Sequence, residues 1–151
     1  MIALLAALHA LAAVVWVGGM SFAHFALRPS LPVLESPQPL RLWQQVFPRF
    51  FRLVWTAIVT LLATGYGLIF TMYGSFAAAP LAVHLMQGTG LAMMGLFVFL
   101  FTRPYARFRA AAVAGNWPEA AKHQAQVRGI VHINLYLGLA TVALGASGRF
   151  W

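Results

Sequence analysis

The stretch "ALHALAAVVWVGGMSFAHFALRP", residues 7–29, decides the fold. It is apolar on every side of a helix and stops only at Arg28-Pro29. A run of this kind suits a membrane span, because crossing the hydrocarbon core takes about 20 apolar residues. Two imidazoles, His9 and His24, interrupt it.

Three further runs share its character, so the expected spans are 2–27, 50–73, 80–102 and 127–147. The 151 residues are 62% hydrophobic and 8% charged, where a soluble domain carries about a quarter charged residues. The composition therefore places the chain in a lipid bilayer as a single transmembrane domain. Helices are required because backbone groups must be satisfied internally in lipid, and these runs are too long for barrel strands. The first run has no basic residues ahead of it and three similar runs follow, so it reads as a retained span rather than a signal peptide.

The connections set the topology. Residues 28–49 hold Pro29, Pro32, Pro37, Pro39 and Pro48 with Arg28, Arg41 and Arg49. Residues 74–79 are few and uncharged, which predicts a tight hairpin between the second and third spans. Residues 103–126 hold Arg103, Arg107, Arg109 and Lys122, and within them Asn116 reads as an N-cap ahead of Pro118 and Glu119. A short surface helix is expected there, leading into the fourth span. Nine of the ten basic residues lie in or beside the first and third connections. The positive-inside rule then puts both connections in the cytoplasm. The expected fold is all-α, a four-helix transmembrane bundle with N-out and C-out termini, in a bacterial-type inner membrane.

Several functions are excluded. The net charge of +8 comes from bases set between apolar runs, a membrane pattern and not a nucleic-acid surface. There are no cysteines, hence no disulfide, thiolate site or Cys nucleophile. No P-loop or Gly-x-Ser-x-Gly is present, and no span interior holds Asp, Glu or Lys. Proton relays through buried carboxylates and hydrolytic triads are thereby set aside.

The histidines remain. His9 lies about 10 Å inside the outer end of the first span, and His84 about 6 Å inside that of the third. The two share a level in the outer leaflet. His24 and His132 fall near the cytoplasmic ends of the first and fourth spans, while His123 is expected to be solvated. On a helical wheel Trp16, Met20 and His24 share a stripe with His9, and Gly88 and Gly95 lie within about 40° of His84. Small residues under a histidine leave a slot for a flat macrocycle. Neutral imidazole ligates both haem iron and copper. Each observation also has a plain explanation: histidines bond between helices, glycines pack closely, methionines fill space, and Trp43, Trp55, Trp117 and Trp151 anchor at interfaces. Arg52 reads as snorkelling to lipid phosphate or pairing with an anionic group.

"LHALAAVVWVGGMSFAHFALRP", "RFFRLVWTAIVTLLATGYGLI", "APLAVHLMQGTGLAMM" and "INLYLGLATVALGASGRFW" resemble the four-helix proteins of the copper resistance D (CopD) family. The pattern His-x6-Trp-x-Gly-Gly-Met-x-Phe-x-x-His-x-x-x-Arg-Pro, from His9 to Pro29, is its most specific piece. More distantly, the first span is similar to HemJ-type protoporphyrinogen oxidases, which bind haem b. The resemblance implies that the first-span histidine of both families falls on His9 and the third-span histidine on His84. Where HemJ-like proteins carry a lysine, this chain has Met86, and their Asn-Glu-x-Pro motif is reduced to Asn134-Leu135-Tyr136-Leu137.

The reading expected from all this is a haem b protein with His9 and His84 as axial or metal ligands. Trp16, Arg28, Arg52, Gly88 and Asn134 support the cofactor, and His24 and His132 form a second site. Its activity would be electron transfer with a quinone or periplasmic redox partner, as a membrane haem-dependent oxidoreductase, and a homodimer would help to enclose the macrocycle. No catalytic residue is assigned. The alternative is copper binding or transport through His9, His84 and Met86 or Met20. A third reading is a structural or assembly subunit without cofactor.

Overall fold

A computed structural model describes residues 1–148, in which every regular element is helical and there is no strand. Trp151 lies outside the described residues. Helix α1 (Ile2–Phe22) runs through a π-helical turn (Ala23–Leu27) into the short α2 (Arg28–Ser30) and a 3-10 turn (Leu31–Val33). Then follow α3 (Gln38–Tyr73), α4 (Leu81–Thr102), α5 (Pro104–Val113) and α6 (Trp117–Ser147). Four helical segments, Ile2–Val33, Gln38–Tyr73, Leu81–Val113 and Trp117–Ser147, are long and apolar enough to cross a membrane. Their outward faces carry leucine, valine and phenylalanine, for example Leu11, Val14, Val59 and Phe99, as lipid requires.

Helices α3 and α6 exceed the spans expected from hydropathy. The 36 residues of α3 measure about 54 Å, longer than the roughly 30 Å hydrocarbon core, so its first turns stand clear of the apolar layer. Pro48 sits inside α3 without ending it; beside it, Arg49 Nη1 donates to Gln45 O at 2.6 Å. Helix α6 is continuous where a separate surface helix was expected. Asn116 caps it, its side chain accepting from Glu119 N–H at 3.3 Å, with proline in the first turn as read from the sequence. The first turns of α6 pack on α5 and bury Ala120, His123 and Val127. His123 is thus not solvated: Nδ1 meets the Gln126 amide at 2.9 Å and Nε2 meets Glu119 Oε1 at 3.0 Å.

Small residues decide which helices touch, as is general where lipid is as apolar as leucine. A Cβ on Gly65 would lie 3.1 Å from the His9 ring, and one on Gly67 3.3 Å from Leu5, so α3 lies close along α1. A Cβ on Gly145 would lie 2.9 Å from Met86 Cε, and one on Gly148 2.7 Å from Ala82. A Cβ on Gly138 would meet both Val17 of α1 at 2.9 Å and Met93 of α4 at 3.0 Å. The bundle is therefore two antiparallel pairs, α1/α3 and α4/α6, joined along α1 and α6. As expected, only a short turn joins the second and third spans, α3 ending at Tyr73 and α4 beginning at Leu81. Gly74, at φ 72°, turns the chain, and α3 and α4 then meet through long side chains, Phe51 and Trp55 on Phe97 and Tyr66 on Gln87.

The interior differs between the two ends. At the end holding the first and third connections, Trp43, Phe47 and Phe51 stack along α3 at one-turn spacing, with ring centroids 4.9 Å and 5.3 Å apart. Tyr105 and Phe108 of α5 and Phe97 of α4 meet this stack edge-on. Trp43, expected at an interface, is buried here. At the end holding the N-terminus and the 74–80 turn, the bundle is hollow.

Candidate metal-binding cavity

The hollow is a cavity of about 530 Å³ between the two helix pairs, within the range of small-ligand sites. Its walls are almost wholly apolar, and the exceptions are informative. His9 enters from α1, Tyr66 and Gln87 from α3 and α4, and Thr141 from α6. Gln87 Nε2 donates to Tyr66 Oη at 2.7 Å, bridging α4 and α3. Four of the chain's six methionines, Met72, Met86, Met93 and Met94, also line it.

The methionines are held in place by the helix pairing. Met86 and Met93 are seven residues apart on α4, and Gly138 and Gly145 have the same spacing on α6. In the antiparallel pair each thioether lies over one glycine: a Cβ at Gly145 would be 3.4 Å from Met86 Sδ. Thr141, midway between the glycines, has its Oγ1 3.9 Å from Met93 Sδ. This Gly-x6-Gly against Met-x6-Met register was visible in the sequence. Only the antiparallel pairing of α4 and α6 shows that the two spacings face each other.

His9 is oriented by α3. Its Nδ1 lies 2.9 Å from Thr64 Oγ1, and the Thr64 hydroxyl donates its single proton to Thr60 O at 2.6 Å. Thr64 therefore accepts from Nδ1–H, and the neutral ring keeps its Nε2 lone pair for a ligand. Gly65, the next residue, leaves room for the ring. Thr64 is itself buried, so this pairing is made away from solvent.

The other expected residues divide. Trp16 lines the cavity and packs edge-on to Phe97 at 6.2 Å between centroids. His84 does not line it; its ring packs edge-on to Phe76 at 4.5 Å. Gly88 and Gly95, expected to leave a slot beside His84, are exposed, and a Cβ on either would meet nothing within 4 Å. Met20 is buried in the core. Arg52 is exposed, with Nε donating to Pro48 O. Arg28 lines a shallow cleft with Trp43, Gln124 and Arg128. Asn134 is 2% exposed, and its Oδ1 has no hydrogen-bond partner among the described residues.

The second histidine pair is the one that meets. His24, in the π turn, and His132 of α6 have ring centroids 4.9 Å apart. Tyr136 packs on the far side of His132, also at 4.9 Å. Among the described residues no group of three or more His, Cys, Asp or Glu side chains converges as a metal site.

Compared with known proteins, residues 44–147 match the family model described as copper resistance protein D. No curated protein and no solved structure matches significantly.

Proposed function

The chain belongs to the copper resistance protein D family, and on that premise we propose that it takes copper(I) as cargo into the cavity between its helix pairs. One observation carries this reading: a single apolar cavity gathers four thioethers and a histidine whose Nδ1–H is engaged by Thr64. Copper(I) is soft and favours thioether and imidazole over oxygen donors. Met86 and Met93, placed over Gly145 and Gly138, and His9 through Nε2 are the ligands assigned. The apolar lining around them disfavours water as a competing ligand.

Copper suits these residues better than the haem b expected from the HemJ-like pattern. His84, needed as the second axial ligand, packs on Phe76 and does not face His9 across the cavity. The four spans make this a multi-pass membrane protein. By the positive-inside rule the end rich in arginine is cytoplasmic, so the cavity belongs to the outer half of an inner membrane and receives copper from that side.

Competition for copper(I) between the purified protein and a chromogenic chelator tests the reading. Met86→Leu/Met93→Leu keeps the volume and removes both sulfurs; it is expected to weaken binding at least tenfold. Wild-type affinity in that variant, or no copper(I) taken by the wild type, rejects the cavity as the site.

A further inference from the structure

We infer that His24 and His132 form a second, nitrogen-only copper(I) site at the arginine-rich end of the bundle, through which cargo leaves the cavity. This rests on the copper reading of the cavity for its cargo, but on separate residues for its ligands.

Three observations converge. The rings come from different elements, the π turn and α6, and stand 4.9 Å apart between centroids. With metal–nitrogen bonds of about 2 Å, a two-coordinate ion fits between them once side-chain rotation moves the rings slightly apart. Neither ring hydrogen-bonds to any described residue, so no nitrogen is committed elsewhere; this contrasts with His9 and His123. Finally, His24 is the second residue of a π turn, Ala23–Leu27, in which Arg28 N–H bonds to Ala23 O. Such turns interrupt α-helices rarely, and frequently at functional sites.

The surroundings select the ion. Zinc wants four ligands, and no carboxylate lies next to this pair: of the two acids, Glu119 is engaged with Lys122 and His123, and Glu35 lies in the first connection. Arg28, four residues past His24, disfavours a divalent cation. A monovalent d¹⁰ ion that accepts two imidazoles needs fewer ligands and is repelled less.

The two sites are linked along α6. Gly138 is on the cavity wall, and His132 lies about 9 Å away along the helix axis at 1.5 Å per residue. Between them is Asn134, whose buried Oδ1 is unpartnered. Orphaned polar atoms of this kind call for an explanation. Here the carbonyl is a weak transient donor, which suits passage rather than storage of the ion.

Copper(I) stoichiometry and X-ray absorption on the detergent-purified protein test the inference. The wild type is expected to take two ions per chain, with sulfur and nitrogen scatterers together. His24→Gln/His132→Gln should take one ion with a sulfur shell, and Met86→Leu/Met93→Leu one ion with nitrogen alone. If His24→Gln/His132→Gln still takes two ions, the inner site is refuted. A single wild-type ion lost only with the methionines also refutes it, while leaving the cavity reading intact. A single nitrogen-ligated ion lost only with the histidines supports the inner site and rejects the cavity. No copper(I) bound at all overturns both.

Discussion

His9 owes its proposed role to a threonine one helix away. Removing the acceptor in Thr64→Val frees the ring to adopt either tautomer, and outer-shell partners of metal-ligating histidines are commonly worth about 10–100-fold in affinity. A loss of that size is expected for copper(I), without change in helical content by circular dichroism; an unchanged affinity would remove Thr64 from the site. Asn134 makes an opposite forecast. Its Oδ1 is buried without a partner, an arrangement that costs about 1–3 kcal/mol. Asn134→Leu should therefore raise the thermal midpoint in detergent while slowing copper uptake into vesicles. A lowered midpoint would mean the amide is satisfied. His9 could be singled out from the sequence by depth and context. Its partner could not, because Thr64 is one of several threonines, and only the α1/α3 packing shows which one meets the ring.

At the scale of elements, glycine position outweighs glycine number. Gly138 stands where α6 meets both Val17 and Met93, and Val17 is β-branched and stiff. Gly138→Ala is expected to destabilise by about 1–3 kcal/mol through overpacking. Gly95 has open space around its Cβ position, so Gly95→Ala should stabilise α4 by roughly 0.5–1 kcal/mol through helix propensity. Thermal unfolding of the two variants side by side checks the contrast; equal shifts would contradict the helix pairing described. The helices themselves were legible in the hydropathy, as was the Asn116 cap, which needs only local chemistry. Which side chains of α3 and α4 meet was not. A short loop restricts the distance between two helix ends, but side-chain volume along the rest of the helices determines how they meet.

For the whole molecule, charge sets the orientation and packing sets the hollow. The nine described basic residues lie at the end where the first and third connections run. Because the chain has no cysteine, Ser36→Cys and Ser75→Cys give clean single-thiol reporters of topology. Ser75→Cys is expected to react with an impermeant thiol reagent added to intact cells, and Ser36→Cys only after permeabilisation. The reverse pattern would invert the bundle and the direction assigned to the cargo.

Hydropathy, proline placement and arginine asymmetry in the sequence were enough to establish a membrane chain of four spans and to predict its orientation. These properties depend on composition along one dimension, and lipid enforces them helix by helix. Family resemblance and depth also marked His9. The meeting of side chains from different helices was decided only in three dimensions. There His9 found Thr64 and the methionine-lined cavity, His84 turned to Phe76, and the pair His24 and His132 drew together. Each outcome follows from which helix faces carry glycine and which carry bulk, a pairwise property that no single span contains.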